Sequence, residues 1–193
     1  MIKAIIFDCF GVLTQDGWKA FVEGLDTEEA KAAARELNRQ YDASLISLER
    51  FLEGIKKVTG RDYDIIKSAR SSEDAKNTQL INYIKLLKEK NYKLGILSNV
   101  ATNWVRDYLL TAEEQGLFDA MVFSFEEGFT KPDPRIYEMV LKQLGAQPEE
   151  AVFIDDTERY CQAAQEIGIR AIWYKDFSQM KKELEALLTV SNN

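Results

Sequence analysis

The sequence predicts an α/β fold, a parallel sheet of about five strands with a helical block inserted after the first strand. Three observations predict it. Short apolar runs alternate with stretches of helical spacing, as strands joined by crossover helices do. The runs are apolar without alternation, the mark of strands covered on both faces. Between the first run and the second, residues 16–75 carry helical patterns and no strand signal.

The elements follow in order. Lys3 to Asp8 reads as a buried strand, because Ile5, Ile6 and Phe7 end in a polar residue, and the chain must turn at Gly11. Asp26 followed by Glu29 reads as a capping box, opening an alanine- and glutamate-rich helix that runs through Tyr41. Leu48, Phe51, Leu52 and Ile55 repeat at helical spacing, and Ile65 with Ile66 suggests a third helix. Leu80, Ile84 and Leu87 mark another. Lys93 to Ser98 is the second strand, and a helix is expected near Trp104 to Leu110. Met121 to Phe125 is the third strand. Asp133 as N-cap, Pro134 at the first helical position and Gly145 past the end delimit the next helix. Ala151 to Asp155 is the fourth strand, Glu158 to Ile167 a helix closed by Gly168, and Ile169 to Trp173 the fifth strand. A last helix runs near Gln179 to Leu188. The expected division is a core of residues 1–15 and 76–193 and a helical domain of residues 16–75.

Composition narrows the chemistry. Histidine is absent from all 193 residues, which excludes the Ser-His-Asp triad, Cys-His proteases, HExxH metalloproteases and His-ligated zinc. Acid–base or nucleophilic work then falls to carboxylates, lysine, hydroxyls, thiols or a metal. The net charge is −7 and lysines are interspersed with glutamates, so no nucleic-acid partner is expected. Cys9 and Cys161 form no CxxC and read as buried reduced thiols. No apolar run approaches the ~18–20 residues of a membrane span. The stretch Ala4 to Phe7 is too short for a signal peptide, and the expectation is a cytoplasmic protein without a membrane partner. Oligomeric state leaves no mark. Arg39, Arg50 and Arg70 form no readable cluster and are expected to face solvent.

Ligands of an open parallel sheet bind beyond the C-terminal ends of the strands. There the sequence places Asp8, then Ser98 and Asn99, then Lys131 in the loop after the third strand, then Asp155 and Asp156. Phosphoryl transfer needs such a set. A carboxylate can act as nucleophile, and a hard cation held by carboxylates can neutralise phosphate oxygens. A lysine and short donors can hold the remaining charge. Lys131 would also offset the repulsion among three clustered acids.

These residues lie in four motifs. They are FDCFGVL from Phe7, LSN at Leu97–Asn99, KPDP at Lys131–Pro134 and FIDD at Phe153–Asp156. Together, in this order and each at a strand end, they resemble the motifs of the haloacid dehalogenase-like hydrolase superfamily. The resemblance spans nearly the whole core and implies a Rossmann-like sheet with an inserted helical cap domain. It implies that Asp8 is the nucleophile, forming an aspartyl-phosphate, and a Mg²⁺ ligand. Asp156 and the backbone carbonyl of Phe10 would bind the metal as well, with Asp155 bound directly or through water. Ser98 and Lys131, assisted by Asn99, would hold the phosphate of a small phosphorylated metabolite.

Three positions depart from the pattern. Relatives that are phosphatases usually carry an acid–base Asp two residues after the nucleophile, where this chain has Phe10, which cannot transfer a proton. Tyr160 stands where Asn is common, and Phe129-Thr130 precede Lys131 where arginine is frequent. Three functions therefore stay open: a phosphatase or phosphotransferase, slowed by Phe10; a catalytically silent ligand- or partner-binding protein; and a haloacid dehalogenase, which an aromatic residue at position 10 favours but an intact acid pair does not. Phe10, Trp18, Trp104 and Phe129 flank the site in sequence. Some of them are expected to line an apolar substrate pocket, and core packing is the favoured reading for Trp104.

Overall fold

The computed structural model describes residues 1–65, 67–68 and 74–190. Its centre is a five-stranded, wholly parallel sheet. The strands are β1 Ala4–Phe7, β2 Lys93–Ser98, β3 Ala120–Phe123, β4 Ala151–Asp155 and β5 Arg170–Trp173, in spatial order β3-β2-β1-β4-β5. The helices are α1 Gly17–Glu23, α2 Glu28–Asp42, α3 Leu48–Thr59, α4 Thr78–Glu89, α5 Ala112–Gln115, α6 Ser124–Glu127, α7 Pro134–Leu144, α8 Glu158–Glu166 and α9 Phe177–Val190.

Side chains alternate across each strand, so β1 feeds two cores. Ile5 and Phe7 pack with Ile84 of α4 and Leu184 of α9. Ala4 and Ile6 pack with Val140 of α7 and Ala164 of α8. Both faces of β1 are buried, which is why its sequence is apolar without alternation. Cys9 and Cys161 are buried free thiols.

The inserted segment has a third core of its own. Val22, Tyr41, Phe51 and Ile55 are buried together, with Trp18, Phe21 and Tyr63 against them. Tyr41 and Phe51 stack with centroids 4.8 Å apart, and burying a ring such as Phe51 contributes about 1.5–3 kcal/mol. The layer is tied to the sheet by the Ser124 hydroxyl, which donates to the Asp42 carbonyl at 2.7 Å and accepts from the Val100 N–H at 2.9 Å.

Several expected boundaries move. The N-cap of α2 is Thr27, not Asp26: the Thr27 hydroxyl accepts from the Ala30 N–H, while Asp26 turns outward to pair with Arg61 at 2.9 Å. The segment expected as a helix from Trp104 to Leu110 is a five-residue π-helical turn, Val105–Leu109. The third strand ends at Phe123, and Ser124–Glu127 coils as α6. The Asp133 cap, Pro134 and the left-handed Gly145 (φ 63°) bound α7 as expected. Arg39 and Arg50 are exposed, whereas Ile66 and Arg70 lie outside the described residues. Among the described residues no helix is long and apolar enough to cross a membrane.

Candidate active site

The register of the sheet builds the site. Phe7 pairs with Ile96 on one side and Ile154 on the other, so the strands end level. Asp8 is fixed there by its N–H, which donates to the Ile154 carbonyl at 2.8 Å. The chain then winds tightly, with the N–H groups of Leu13 and Thr14 both donating to the Cys9 carbonyl. Gly11 takes φ 88° in this turn, and the Asp156 carboxylate fills the space where a side chain would stand. A methyl group there would lie 2.5 Å from Asp156 Oδ2.

Five charged groups meet at the rim. Lys131 Nζ lies 2.7 Å from Asp8 Oδ1 and 2.6 Å from Asp155 Oδ2. Asp8, Asp155 and Asp156 each bring a carboxylate oxygen into a group within 4.8 Å of one another. Lys19 of α1 reaches across to Asp156 Oδ2 at 2.6 Å. Asn99 holds the Lys131 backbone from both sides, accepting from its N–H at 2.8 Å and donating to its carbonyl at 3.2 Å. The Lys131 ammonium also lies over the Tyr160 and Phe153 rings, 5.1 and 5.3 Å from their centroids.

Burial, followed by the charge of Asp155, pushes the Asp8 carboxyl well above the usual carboxylate range, against the pull of Lys131. Burial raises Asp155 also, again against Lys131. Burial works to discharge Lys131, but Asp155 and Asp8 outweigh it and hold the ammonium more basic than usual. Three carboxylates facing one buried lysine and one half-exposed lysine leave the cluster short of positive charge. Its donors are all oxygen, which suits a hard divalent cation of the Mg²⁺ type and not a thiolate or imidazole metal.

Over the rim lies a cavity of about 960 Å³. Asp8, Asn99, Lys131 and Asp156 line it, while Ser98 and Asp155 are fully buried. Phe10, Trp18 and Trp104 line it too, with Phe10 and Trp104 stacked at 5.6 Å. Trp104 does both: half-buried, it packs against the core that holds Phe7 and also lines the cavity. Phe129 packs instead on the sheet face opposite Phe7, beneath Arg135. The structure adds Lys19, Asp16 and Asp42 to the cavity wall. Only Asp16, as the N-cap of α1, has a local signal that sequence reasoning could have used.

The Ser98 hydroxyl is fully buried and, among the described residues, makes no hydrogen bond. Such a group costs about 1–3 kcal/mol of desolvation. Ser98→Ala is therefore expected to leave the unliganded protein as stable as before or up to about 1–2 kcal/mol more stable. The midpoint of urea unfolding reads this, and a clear loss of stability would show that the hydroxyl already has a partner.

Comparison with known proteins places this geometry. Residues 2–168 match the family model described as haloacid dehalogenase-like hydrolase. A 126-residue stretch is 32% identical to bifunctional epoxide hydrolase 2 of Sus scrofa, covering 62% of this chain and 22% of that protein. The chain thus spans about a fifth of the length of that relative. The phosphorylated carbohydrates phosphatase of Thermotoga maritima is 26% identical over 89% of this chain and 84% of its own. Among solved structures, a haloacid dehalogenase-family enzyme of Bacteroides thetaiotaomicron, in complex with magnesium and inorganic phosphate, superposes with a TM-score of 0.62 at 24% identity, over 93% of this chain and 99% of that one. The L-2-haloacid dehalogenase of Xanthobacter autotrophicus superposes with a TM-score of 0.61 at 20% identity, over 96% of this chain and 83% of that one. The two superpositions are equally good, so backbone shape does not separate phosphatase from dehalogenase. With a family match over most of its length and the four motifs gathered at one rim, the chain belongs to the haloacid dehalogenase-like hydrolases.

Proposed function

We propose that the protein is a Mg²⁺-dependent phosphatase or phosphotransferase of a small phosphorylated metabolite, working through Asp8. The observation that carries the reading is the cluster of Asp8, Asp155 and Asp156 around Lys131. Displacement of halide from carbon needs a carboxylate nucleophile but no second and third acid. Buried acids this close are costly to keep without a cation. The phosphatase of Thermotoga maritima and the magnesium- and phosphate-bound structure from Bacteroides support the same reading.

In this reading an Asp8 oxygen attacks phosphorus in line with the leaving oxygen, forming an aspartyl-phosphate that water then hydrolyses. Lys131 supplies fixed positive charge to the phosphoryl oxygens, and Asn99 keeps it in register. The Ser98 hydroxyl donates to a phosphoryl oxygen. A Mg²⁺ held by Asp8, Asp155, Asp156 and the Phe10 carbonyl would supply charge neutralisation at those oxygens. Residues 16–75 act as a cap that shields the rim of the core formed by residues 1–15 and 76–193, and the aromatic wall of the cavity excludes water.

The test is phosphate release from a panel of phosphomonoesters, with Mg²⁺ and with EDTA. Activity should need the metal, and Asp8→Asn should lower it by at least about a thousandfold. Halide release from 2-haloacids, indifferent to EDTA, would replace this reading with the dehalogenase. The second reading, a silent binding protein, rests on Phe10 and predicts tight Mg²⁺ binding without release from any ester.

A further inference from the structure

Phe10 leaves the nucleophile without an acid two residues on, yet the cavity holds another carboxyl. Asp42 ends α2, is 8% exposed and forms part of the cavity wall. Its one side-chain hydrogen bond among the described residues is accepted at Oδ2 from Asn38 Nδ2, at 2.7 Å, and no ion pair claims it. Its position is fixed through the backbone: the Ser124 hydroxyl links the Asp42 carbonyl to Val100, the residue after Ser98 and Asn99. Among the described residues the helical layer brings three other acids to the cavity: Asp16 is committed to capping α1 through the Lys19 N–H at 3.0 Å, Glu36 is exposed and paired with Arg39 at 2.6 Å, and Glu23 is exposed.

We propose that Asp42 is the proton donor to the leaving-group oxygen, a role that Phe10 cannot perform. The inference rests on the phosphatase reading. In the first step the bond from Asp8 Oδ to phosphorus forms as the bond from phosphorus to the ester oxygen breaks. That oxygen takes the proton of the Asp42 carboxyl and leaves as the alcohol. In the second step the Asp42 carboxylate accepts a proton from the water that attacks the aspartyl-phosphate. Asp8 and the protonated Asp42 are restored, and inorganic phosphate departs.

The charges that face Asp42 agree with this task. Burial, then the neighbouring charge of Asp16, pushes its carboxyl up to about 8, while Asn38 and Lys131 pull the other way. Among the described residues Tyr41 and Tyr63 also interact with it; burial raises both, Tyr63 to about 12, so neither charges near neutrality. Asp42 therefore carries its proton at neutral pH and loses it in mildly alkaline solution.

The experiment compares two esters on the full-length protein with Mg²⁺. One is 4-nitrophenyl phosphate, whose leaving group needs little protonation. The other is the sugar phosphate that the unaltered protein turns over fastest. For the unaltered protein, kcat on the sugar phosphate should fall about tenfold per pH unit above about pH 8. Asp42→Asn should lower that kcat by about 10²–10⁴-fold, with a loss on the nitrophenyl ester at least tenfold smaller, and the alkaline fall should vanish. Asp42→Glu, which keeps a carboxyl, should recover part of the sugar phosphate turnover and an alkaline fall at a shifted pH. Equal proportional losses on both esters, an alkaline fall that persists in Asp42→Asn, or Asp42→Glu behaving as Asp42→Asn would each overturn the proposal. No phosphate from either ester with the unaltered protein would overturn the phosphatase reading, and this inference with it, before any variant is made.

Discussion

Lys131→Met is expected to destabilise the protein by about 3–5 kcal/mol, the cost of leaving a buried charge without its partner. Methionine keeps the unbranched apolar stem of lysine as far as Cε. What is lost is the ammonium that lies 2.7 Å from Asp8 and 2.6 Å from Asp155, itself only 1% exposed. Both acids then face each other, and Asp156, with Lys19 as the remaining cation among the described residues. A divalent cation replaces part of the missing charge, so millimolar Mg²⁺ should restore more stability to the variant than to the unaltered protein. Urea unfolding with and without Mg²⁺ reads both effects. An unchanged midpoint in the absence of metal would mean that the lysine and the acids do not hold each other in place.

Gly11→Ala should damage the site as deeply by a different route. The position combines φ 88° with an Asp156 carboxylate already occupying the space of a side chain. An alanine there carries about 1–3 kcal/mol of backbone strain, and its methyl group has to push Asp156 aside. Asp156 has little room to yield, since Lys19 holds Oδ2 at 2.6 Å and the Thr157 hydroxyl donates to Oδ1 at 3.3 Å. The displaced carboxylate should lower Mg²⁺ affinity at least tenfold, a change calorimetric titration would detect. Unaltered affinity would show that Asp156 is not a ligand.

Most of the site could be read from the sequence because parallel strands deliver their C-terminal residues to one edge. Asp8, Ser98, Asp155 and Asp156 each end or follow a recognisable apolar run, Lys131 stands in the loop after another, and the sheet does the rest. The Asp133–Pro134–Gly145 frame of α7 was legible for a local reason, since cap and terminator act within a few residues. What could not be read depends on distance along the chain. Lys19 meets Asp156 across 137 positions, and nothing near either residue announces the other. Asp42 resembles any acid at a helix end until the fold buries it against the cavity. The cap of α2 was misplaced by one residue because Asp26 and Thr27 compete for the same role. The structure gives it to Thr27, with Arg61 as the partner that draws Asp26 away. The turn at Val105–Leu109 has helical spacing in sequence, and periodicity alone does not separate a π turn from an α turn.

The strand that carries Asp8 lies in the middle of the sheet, with β2 and β4 on its two sides. Its amides are the least able to exchange with solvent through fraying, which begins at the edge strands β3 and β5. Asp8 therefore loses its place only when the whole sheet comes apart, and not by local opening. Anything that binds the rim is felt by the entire cooperative unit. A rise in melting temperature with a mixture of metal and phosphate would then report occupancy of the site directly, without turnover.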